Sequence, residues 1–536
     1  MRLPKAEHVA QLQATASRLK QEFFDLDKIE RYFRLSDKES VYQVISDKTF
    51  QDLDMNEVFM FVDRTSSKVG QQFLYHTVRT IPDDRLQSER FEKLINRIER
   101  TPGLKDTILL ELSTLNSPNA YSVVSLFLRD QVQKPKWFWV IKALSFTSLC
   151  VVLLSIGFPQ ALLLLLPLLA VNFLIHYWNK NNLYQYVGSI PQLARMNQAA
   201  KEISNYEVND ELSPGIRLSI DAIDRLGAQM SLFKLEAKLQ SEIGLIVDYA
   251  LELVKALFLL EPLVFFNVLE KINVKRTEIE AVYRYVGEID VAMSIRFLRE
   301  QLPFFCLPTL TADKKQLTAL DAYHPLIDQS VPNSISLVDH SALLTGSNMS
   351  GKTTFIRTIG INALMAQTLN TCFAKQWRMP RLKIHSAIRI SDDLLSAKSY
   401  YFDEVLTIKT LLDQSQTAEG HLFLLDELFK GTNTVERIAS GKAVLSYLNQ
   451  KANLVFVSTH DLELAELVKD SFQLFHFTEI VEEGTVLFDY TLKKGNLTHT
   501  NAIRILELNQ YPTEVTDEAT QLARHLYANK LKPDAG

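Results

Sequence analysis

Cysteine is scarce in this chain: Cys150, Cys306 and Cys372 stand far apart and lack the paired spacing of a metal site. That excludes a disulfide framework, argues against zinc and suits a reducing compartment. An excess of positive charge is also missing, because 58 Lys and Arg face 63 Asp and Glu, for a formal net charge of −5. A nucleic-acid partner would have to be met by a local patch or a dimer groove. There is no low-complexity tract and no fixed-period repeat, which removes solenoids and propellers. The opening residues, Met1 to His8, lack the apolar stretch of a secretory leader, so no cleavage is expected.

Apolar material is abundant. With 47% hydrophobic and 23% charged residues over 536 positions, the composition is that of a folded chain with several domains. From Glu7 to Phe33 the apolar residues recur at helical spacing, and a second helical run extends from Arg85 to Leu115. Asp63-Arg64-Thr65 reads as a cap between two helices. Between Trp137 and Trp178 the texture changes. Phe138 to Ile156 holds one charge, Lys142, and Ala161 to Tyr177 holds none. Each stretch is close to the roughly 20 apolar residues that span a bilayer. Trp137, Trp139, Tyr177 and Trp178 sit at the level of an aromatic belt, while Lys134, Lys136 and Lys180 flank the pair and the Gly157–Gln160 turn is uncharged. That pattern predicts a two-span membrane hairpin with both soluble parts in the cytoplasm; a buried core hairpin is the competing reading. A shorter run, Ala256 to Leu269, carries Glu261 and Pro262 and reads as a core or membrane-surface helix. Ile216 to Leu302 is helical in period throughout.

After Pro303, strands and helices alternate. Strands are expected at 335–338, 342–344, 383–390, 422–425, 454–458 and 485–492, and helices at 353–369, 396–413, 438–448 and 462–469. This order implies a mostly parallel α/β domain. Within it, Gly346, Ser347, Asn348, Met349, Ser350, Gly351, Lys352, Thr353 and Thr354 follow an apolar strand and open a helix. The spacing G-x-x-x-x-G-K-T lets successive backbone N–H groups face phosphate oxygens. Lys352 adds a point charge and the Thr353 hydroxyl can ligate Mg²⁺. A plain Gly/Ser turn before a helix would carry similar letters. A second motif decides against it: the strand His421-Leu-Phe-Leu-Leu425 ends in Asp426 and Glu427. Asp426 is placed to hold the metal, and Glu427 to deprotonate the attacking water. The next strand ends in Ser458-Thr459-His460, where His460 can reach the γ-phosphate. ATP and Mg²⁺ are the ligands these motifs imply.

The loop Thr345–Thr354, the segment Arg389 to Glu404, Leu425-Asp-Glu-Leu-Phe-Lys-Gly-Thr-Asn-Thr434 and Ser458-Thr-His460 together resemble the MutS family of DNA mismatch-repair ATPases. The likeness extends to Tyr323-His-Pro-Leu326, to the stretch from Leu53 to Arg79, and to Tyr511-Pro512 before a final helix. It implies an ABC-type ATPase domain in a homodimer with composite ATP sites. Each site would be completed in trans by the partner's segment around Ser399 and by its loop Gly431, Thr432, Asn433 and Thr434. The resemblance also puts Asn348, Gln367 and His476 near the nucleotide, and implies DNA as a partner. It sets the departures too. Phe429-Lys430 replaces a Gly-Arg pair, and Ser330 stands where an aromatic stacks on adenine. The family's mismatch-reading domain and DNA clamp have no counterpart in the expected layout.

The expected fold is therefore an α-helical core with an inserted transmembrane helical hairpin, followed by an α/β P-loop ATPase domain. The expected regions are 1–136, the hairpin 137–178, a helical lever 179–305, the ATPase 306–510 and a helical tail 511–536. The function this predicts is ATP binding and hydrolysis by a membrane-anchored dimer, with DNA as a possible partner. The alternatives are a nucleotide-gated membrane scaffold without nucleic acid and a transporter-type ATPase. Two spans are few for a transport pathway, and no Leu-Ser-Gly-Gly-Gln signature occurs.

Overall fold

The computed structural model describes residues 4–38, 41–83, 86–128, 135–206, 214–226, 252–312, 315–347, 349–389, 400–482, 485–497 and 502–530. They form two compact units, neither of them one continuous stretch. Met1–Ser40, Val62–Arg79 and Asp84–Gln301 make the first, and Val41–Phe61, Thr80–Asp83 and Leu302–Gly536 the second. Two short pieces of the N-terminal region thus belong to the unit that carries the glycine-bounded loop.

The first unit is helical. The run expected from Glu7 to Phe33 is interrupted: one helix spans Lys5–Ala16, and the next begins at Leu26, where the Asp25 carboxylate accepts from Lys28 N. The run from Arg85 divides into Leu86–Arg100 and Leu104–Ser113, separated by Gly103 in the left-handed region at φ 76°. The Asp63 cap is present, with its carboxylate accepting from Thr65 N at 2.9 Å and bound by Lys20 and Gln71. Helix Lys68–Arg79 packs on helix Arg276–Gln301 so closely that a Cβ on Gly70 would lie 2.1 Å from Asp290 Oδ2. Asp290 in turn accepts from Ser66 N and Ser67 N at 2.8 Å, which caps the helix that Gly70 belongs to.

The apolar hairpin consists of helix Phe138–Gly157, a 3₁₀ turn Pro159–Leu164 and helix Leu165–Ser204. Phe138–Gly157 and Pro159–Trp178 are each long and apolar enough to cross a membrane. The second helix runs 40 residues, well past the expected end at Tyr177. Large apolar side chains such as Phe146, Ile156, Phe158, Leu163 and Leu174 are exposed, and the Trp137 and Trp178 rings meet at 5.2 Å. Few polar groups lie inside. Asn172 Nδ2 donates to Ser148 Oγ at 3.0 Å and to Leu257 O at 2.6 Å. His176 lies between Glu252 and Glu261, at 3.4 and 3.3 Å. The run expected as one helix from Ala256 breaks at Leu259, φ 47°, and resumes as Leu260–Val274. Asn172 meets a carbonyl that this break frees, which is how a backbone polar group is satisfied in apolar surroundings.

In the second unit a six-stranded sheet has the order Lys493–Lys494, Phe472–His476, Ser341–Thr345, Leu454–Ser458, His421–Asp426 and Lys383–Ala387, with every pairing parallel except the first. Buried Leu343, Phe423, Leu425, Val455, Val457 and Phe472 form its core. Central strands reading as unbroken apolar runs are the mark of a parallel sheet covered on both faces. A second sheet, Thr309–Thr311, Gln376–Pro380, Gln316–Ala322 and Asn333–Val338, is mainly antiparallel. Three of its strands were not expected from sequence; nor was Phe472–His476. The expected strand 383–390 ends at Ala387, and 485–492 ends at Phe488. The N-terminal pieces cover the edge strand of the larger sheet. The Gln43 amide donates to Ile384 O and accepts from Ile384 N, both at 2.7 Å.

Two buried histidines on neighbouring strands make this unit acid-sensitive. His385 Nε2 and His421 Nδ1 are 2.9 Å apart, and Thr417 Oγ1 meets His421 Nε2 at 2.6 Å. Burial, with help from Lys383 nearby, depresses His385 to about 3 and His421 to about 4. Both therefore bind protons more readily when unfolded, near the ordinary value of about 6.5. Their contribution is complete above that value and is lost as pH falls from about 6.5 towards 4. The melting temperature should drop over that interval, and a His385→Phe/His421→Phe double variant should flatten the drop; an unchanged pH slope would refute the assignment.

Candidate active site

The strand Ser341–Thr345 runs into the glycine-bounded loop and then into helix Lys352–Thr368, so the helix N-terminus faces the loop. Gly346 and Gly351 have φ of 145° and 108°, and Met349 adopts 69°. Gly346 is required on steric grounds as well, since a Cβ there would meet Phe477 O at 2.6 Å. Ser350 Oγ donates to Ser347 O at 2.8 Å, and Ser347 Oγ to Glu479 Oε2 at 2.6 Å, which fixes the curl of the loop. Lys352 Nζ donates to Gly346 O and Ser347 O, both at 2.8 Å. Its amine is held below the ordinary lysine value by burial, with Glu427 and Asp426 pulling the other way. Thr354 lines the same pocket, and Asn348 lies outside the described residues.

The parallel register brings the strand ends together. Asp426 Oδ2 accepts from Thr353 Oγ1 at 2.8 Å, and Asp426 Oδ1 is bonded by Ser458 Oγ. Glu427 takes a left-handed conformation, φ 51°, and its N–H bonds Ser458 O at 3.0 Å, so the strand stops there and the carboxylate turns out. His460 Nε2 lies 2.5 Å from Glu427 Oε1 and Lys430 Nζ 2.6 Å from Oε2. Burial works against this carboxylate's charge, but the bonds from His460 and Lys430 prevail and lower it to about 2. Lys352, Thr353, Asp426, Glu427 and His460 thus lie together at the strand ends. Thr353 and Asp426 offer the hard oxygen donors that suit Mg²⁺.

A pocket of ≈ 580 Å³ opens beside them, lined by Lys352, Thr353 and Glu427 and also by Phe477 and Tyr490. The two aromatics carry no motif, and sequence reading missed both. Tyr490 Cδ1 would be 3.4 Å from a Cβ on Gly351, and the Tyr490 backbone is held by Asn333 Nδ2 at 2.9 Å. Ser330 lines the pocket too, and so does His324, which burial lowers to about 4 and so keeps neutral. His476 is not among the lining residues. Its Nδ1 meets Gly495 O at 2.9 Å, and the neighbouring Phe477 faces the pocket instead. Gln367 is buried in the helix interior, donating to Leu382 O at 3.0 Å and accepting from Leu382 N at 3.1 Å. Gly431 and Asn433 are exposed, and Thr432 donates to Glu436 Oε2 at 3.1 Å. Asn433 caps the helix that starts at Thr434, accepting from Glu436 N at 3.0 Å. This loop does not line the pocket of its own chain. Ser399 lies outside the described residues.

Fold and site together define an α/β unit whose mostly parallel sheet sets a glycine-bounded loop beside two strand-end carboxylates. Residues 342–527 match the family description MutS domain V. Through this region the chain is similar to the MutS family. It is similar to the DNA mismatch repair protein MutS of Natronomonas pharaonis, 27% identical over 282 residues, 51% of this chain and 32% of that protein. The corresponding figures for the MutS of Halalkalibacterium halodurans are 29% over 286 residues, 51% and 32%, and for that of Aquifex pyrophilus 29% over 260 residues, 46% and 30%. The chain therefore spans about a third of the length of these relatives.

Proposed function

We propose that the protein is a membrane-anchored, dimeric, MutS-like ATPase that binds and hydrolyses ATP with Mg²⁺. The observation that carries this reading is the pocket, which is lined both by the loop residues Lys352, Thr353 and Thr354 and by the aromatics Phe477 and Tyr490. In this reading Lys352 exchanges its two loop carbonyls for β- and γ-phosphate oxygens, and the loop N–H groups take the rest of the charge. Mg²⁺, held by Thr353 and Asp426, would neutralise developing phosphate charge. Glu427 accepts the proton of the attacking water, and His460 holds the carboxylate and faces the γ-phosphate. The exposed Gly431–Thr434 loop, turned away from its own pocket, suits a contribution to the partner's site, together with Ser399.

The exposed apolar faces of the hairpin support insertion in a bilayer over a buried soluble core, because open water would leave them unfavourably solvated. The aromatic pair and flanking lysines favour both ends on the cytoplasmic side. DNA comes to this chain from the name of its relatives. Purified protein should bind Mg-ATP, and Lys352→Ala should abolish binding in equilibrium titration; retained affinity would overturn the site. Duplex binding, matched against mismatched, should weaken steeply with salt if phosphates are contacted. Its absence at low salt would leave the nucleotide-gated scaffold.

Tyr490→Ala should weaken ATP binding roughly five- to 150-fold, the range for one lost base–aromatic stack of about 1–3 kcal/mol. Tyr490→Phe should not. Equal dissociation constants for wild type and the alanine variant would remove Tyr490 from the base site.

A further inference from the structure

We infer that the hairpin carries a site for one anionic phospholipid, in the groove between helix Phe138–Gly157 and the segment around Leu260. This rests on the membrane reading above and deepens it. Lys142, Ser145, Phe146 and Leu149 fall at i, i+3, i+4 and i+7, so they form one stripe along the helix. Phe258, Leu260 and Leu263 face them across a groove of ≈ 440 Å³. The groove is polar at one end only, where Lys142 and Ser145 lie, and apolar along the rest. Among the described residues Lys142 is also the sole charge lining it. Glu252 and Glu261 do not line it; they are engaged with His176.

The second wall is fixed in place. Asn172 ties Leu257 O and Ser148 Oγ, His176 joins both glutamates, and the Phe138 and Phe266 rings pack edge to face at 5.4 Å. The polarity runs the right way for a lipid. Lys142 sits about 6 Å along the helix from Phe138, on the side of the Trp137 and Trp178 pair, and Leu149 is about 10 Å further on. A phosphate at the level of the aromatic belt would meet the lysine, whose stem can rise to it, while one acyl chain follows the stripe inward. A lone lysine inside an apolar span is otherwise costly, and charge complementarity to an anionic head accounts for its place.

Tryptophan fluorescence reads the site directly, since Trp137, Trp139 and Trp178 lie at the hairpin base while Trp377 is buried in the second unit. The full-length protein is reconstituted into phosphatidylcholine vesicles containing graded amounts of phosphatidylglycerol or phosphatidylcholine with brominated acyl chains. The expected result is half-maximal quenching at a several-fold lower mole fraction of the brominated phosphatidylglycerol. Lys142→Gln should abolish that preference, and so should Ser145→Phe, which fills the groove and leaves every charge in place. Equal quenching by both lipids in the wild type would overturn the groove and leave the membrane hairpin standing. Quenching by neither would overturn the hairpin reading itself. A preference that survives Ser145→Phe would assign it to bulk attraction by Lys134, Lys136 and Lys180, and would also overturn the site. Equal quenching in the wild type overturns the site whether or not a variant folds, and Lys142→Gln and Ser145→Phe test a wild-type preference independently of each other.

Discussion

Glu427→Gln should leave Mg-ATP binding within a few-fold of wild type and lower hydrolysis by on the order of 10²–10⁴-fold, the contribution of a positioned general base. The amide keeps the shape of the side chain but cannot take a proton. In the proposed mechanism the resting geometry would make the carboxylate a guarded base. With His460 at 2.5 Å and Lys430 at 2.6 Å it is held at about 2, so it becomes an effective proton acceptor only when these contacts loosen. The drop should therefore appear in kcat with little change in KM. Single-turnover hydrolysis beside equilibrium nucleotide binding separates the two, and equal turnover rates would sink the role assigned to Glu427.

The second large effect concerns stability. Asp52 is fully buried, and its carboxylate accepts from Ser386 Oγ at 2.7 Å and from Ile388 N and Arg389 N at 3.0 Å, with Lys48 Nζ at 2.7 Å. Its own backbone carbonyl accepts from Arg357 Nε at 2.9 Å, on the helix that starts at Lys352. Asp52→Ala leaves three donors at the end of strand Lys383–Ala387 without their acceptor, at about 1–3 kcal/mol for each buried group. A loss of about 3–5 kcal/mol is expected, read as a fall in the denaturation midpoint. Asp52→Asn, which keeps one acceptor oxygen, should fall between. A midpoint for Asp52→Ala equal to wild type would show that these bonds contribute nothing net.

What could be read in the sequence was what a short string encodes. The loop from Gly346 to Thr354 and the Asp426-Glu427 strand end are local patterns whose backbone needs name their residues. The helical hairpin is similarly local, because two mostly apolar runs of 20 residues joined by a short turn mark themselves in the string. The strand Leu454–Ser458 appears with the expected bounds for the same reason. Features that rest on distant contacts were not legible. Gln43 and Ile384 pair across 341 positions, and nothing near either residue announces it. Tyr490 and Phe477 line the pocket because two strands and a turn deliver them there, so only the assembled sheet reveals an aromatic wall. The break at Leu259 has no glycine to mark it; a leucine is held at positive φ by the packing around it. Strand Phe472–His476, next to the strand that precedes the loop, alternates too briefly to stand out.

The 40-residue helix Leu165–Ser204 is about 60 Å long, and only its first part is apolar. If that part is seated in a bilayer as proposed, the remainder is a long lever rooted in lipid, with Pro191 interrupting its hydrogen-bond ladder part-way along. Changing its tilt by about 10° would displace the far end by roughly 10 Å. In that proposed setting bilayer thickness, which sets the tilt of such a helix, would be a mechanical input to the rest of the helical unit.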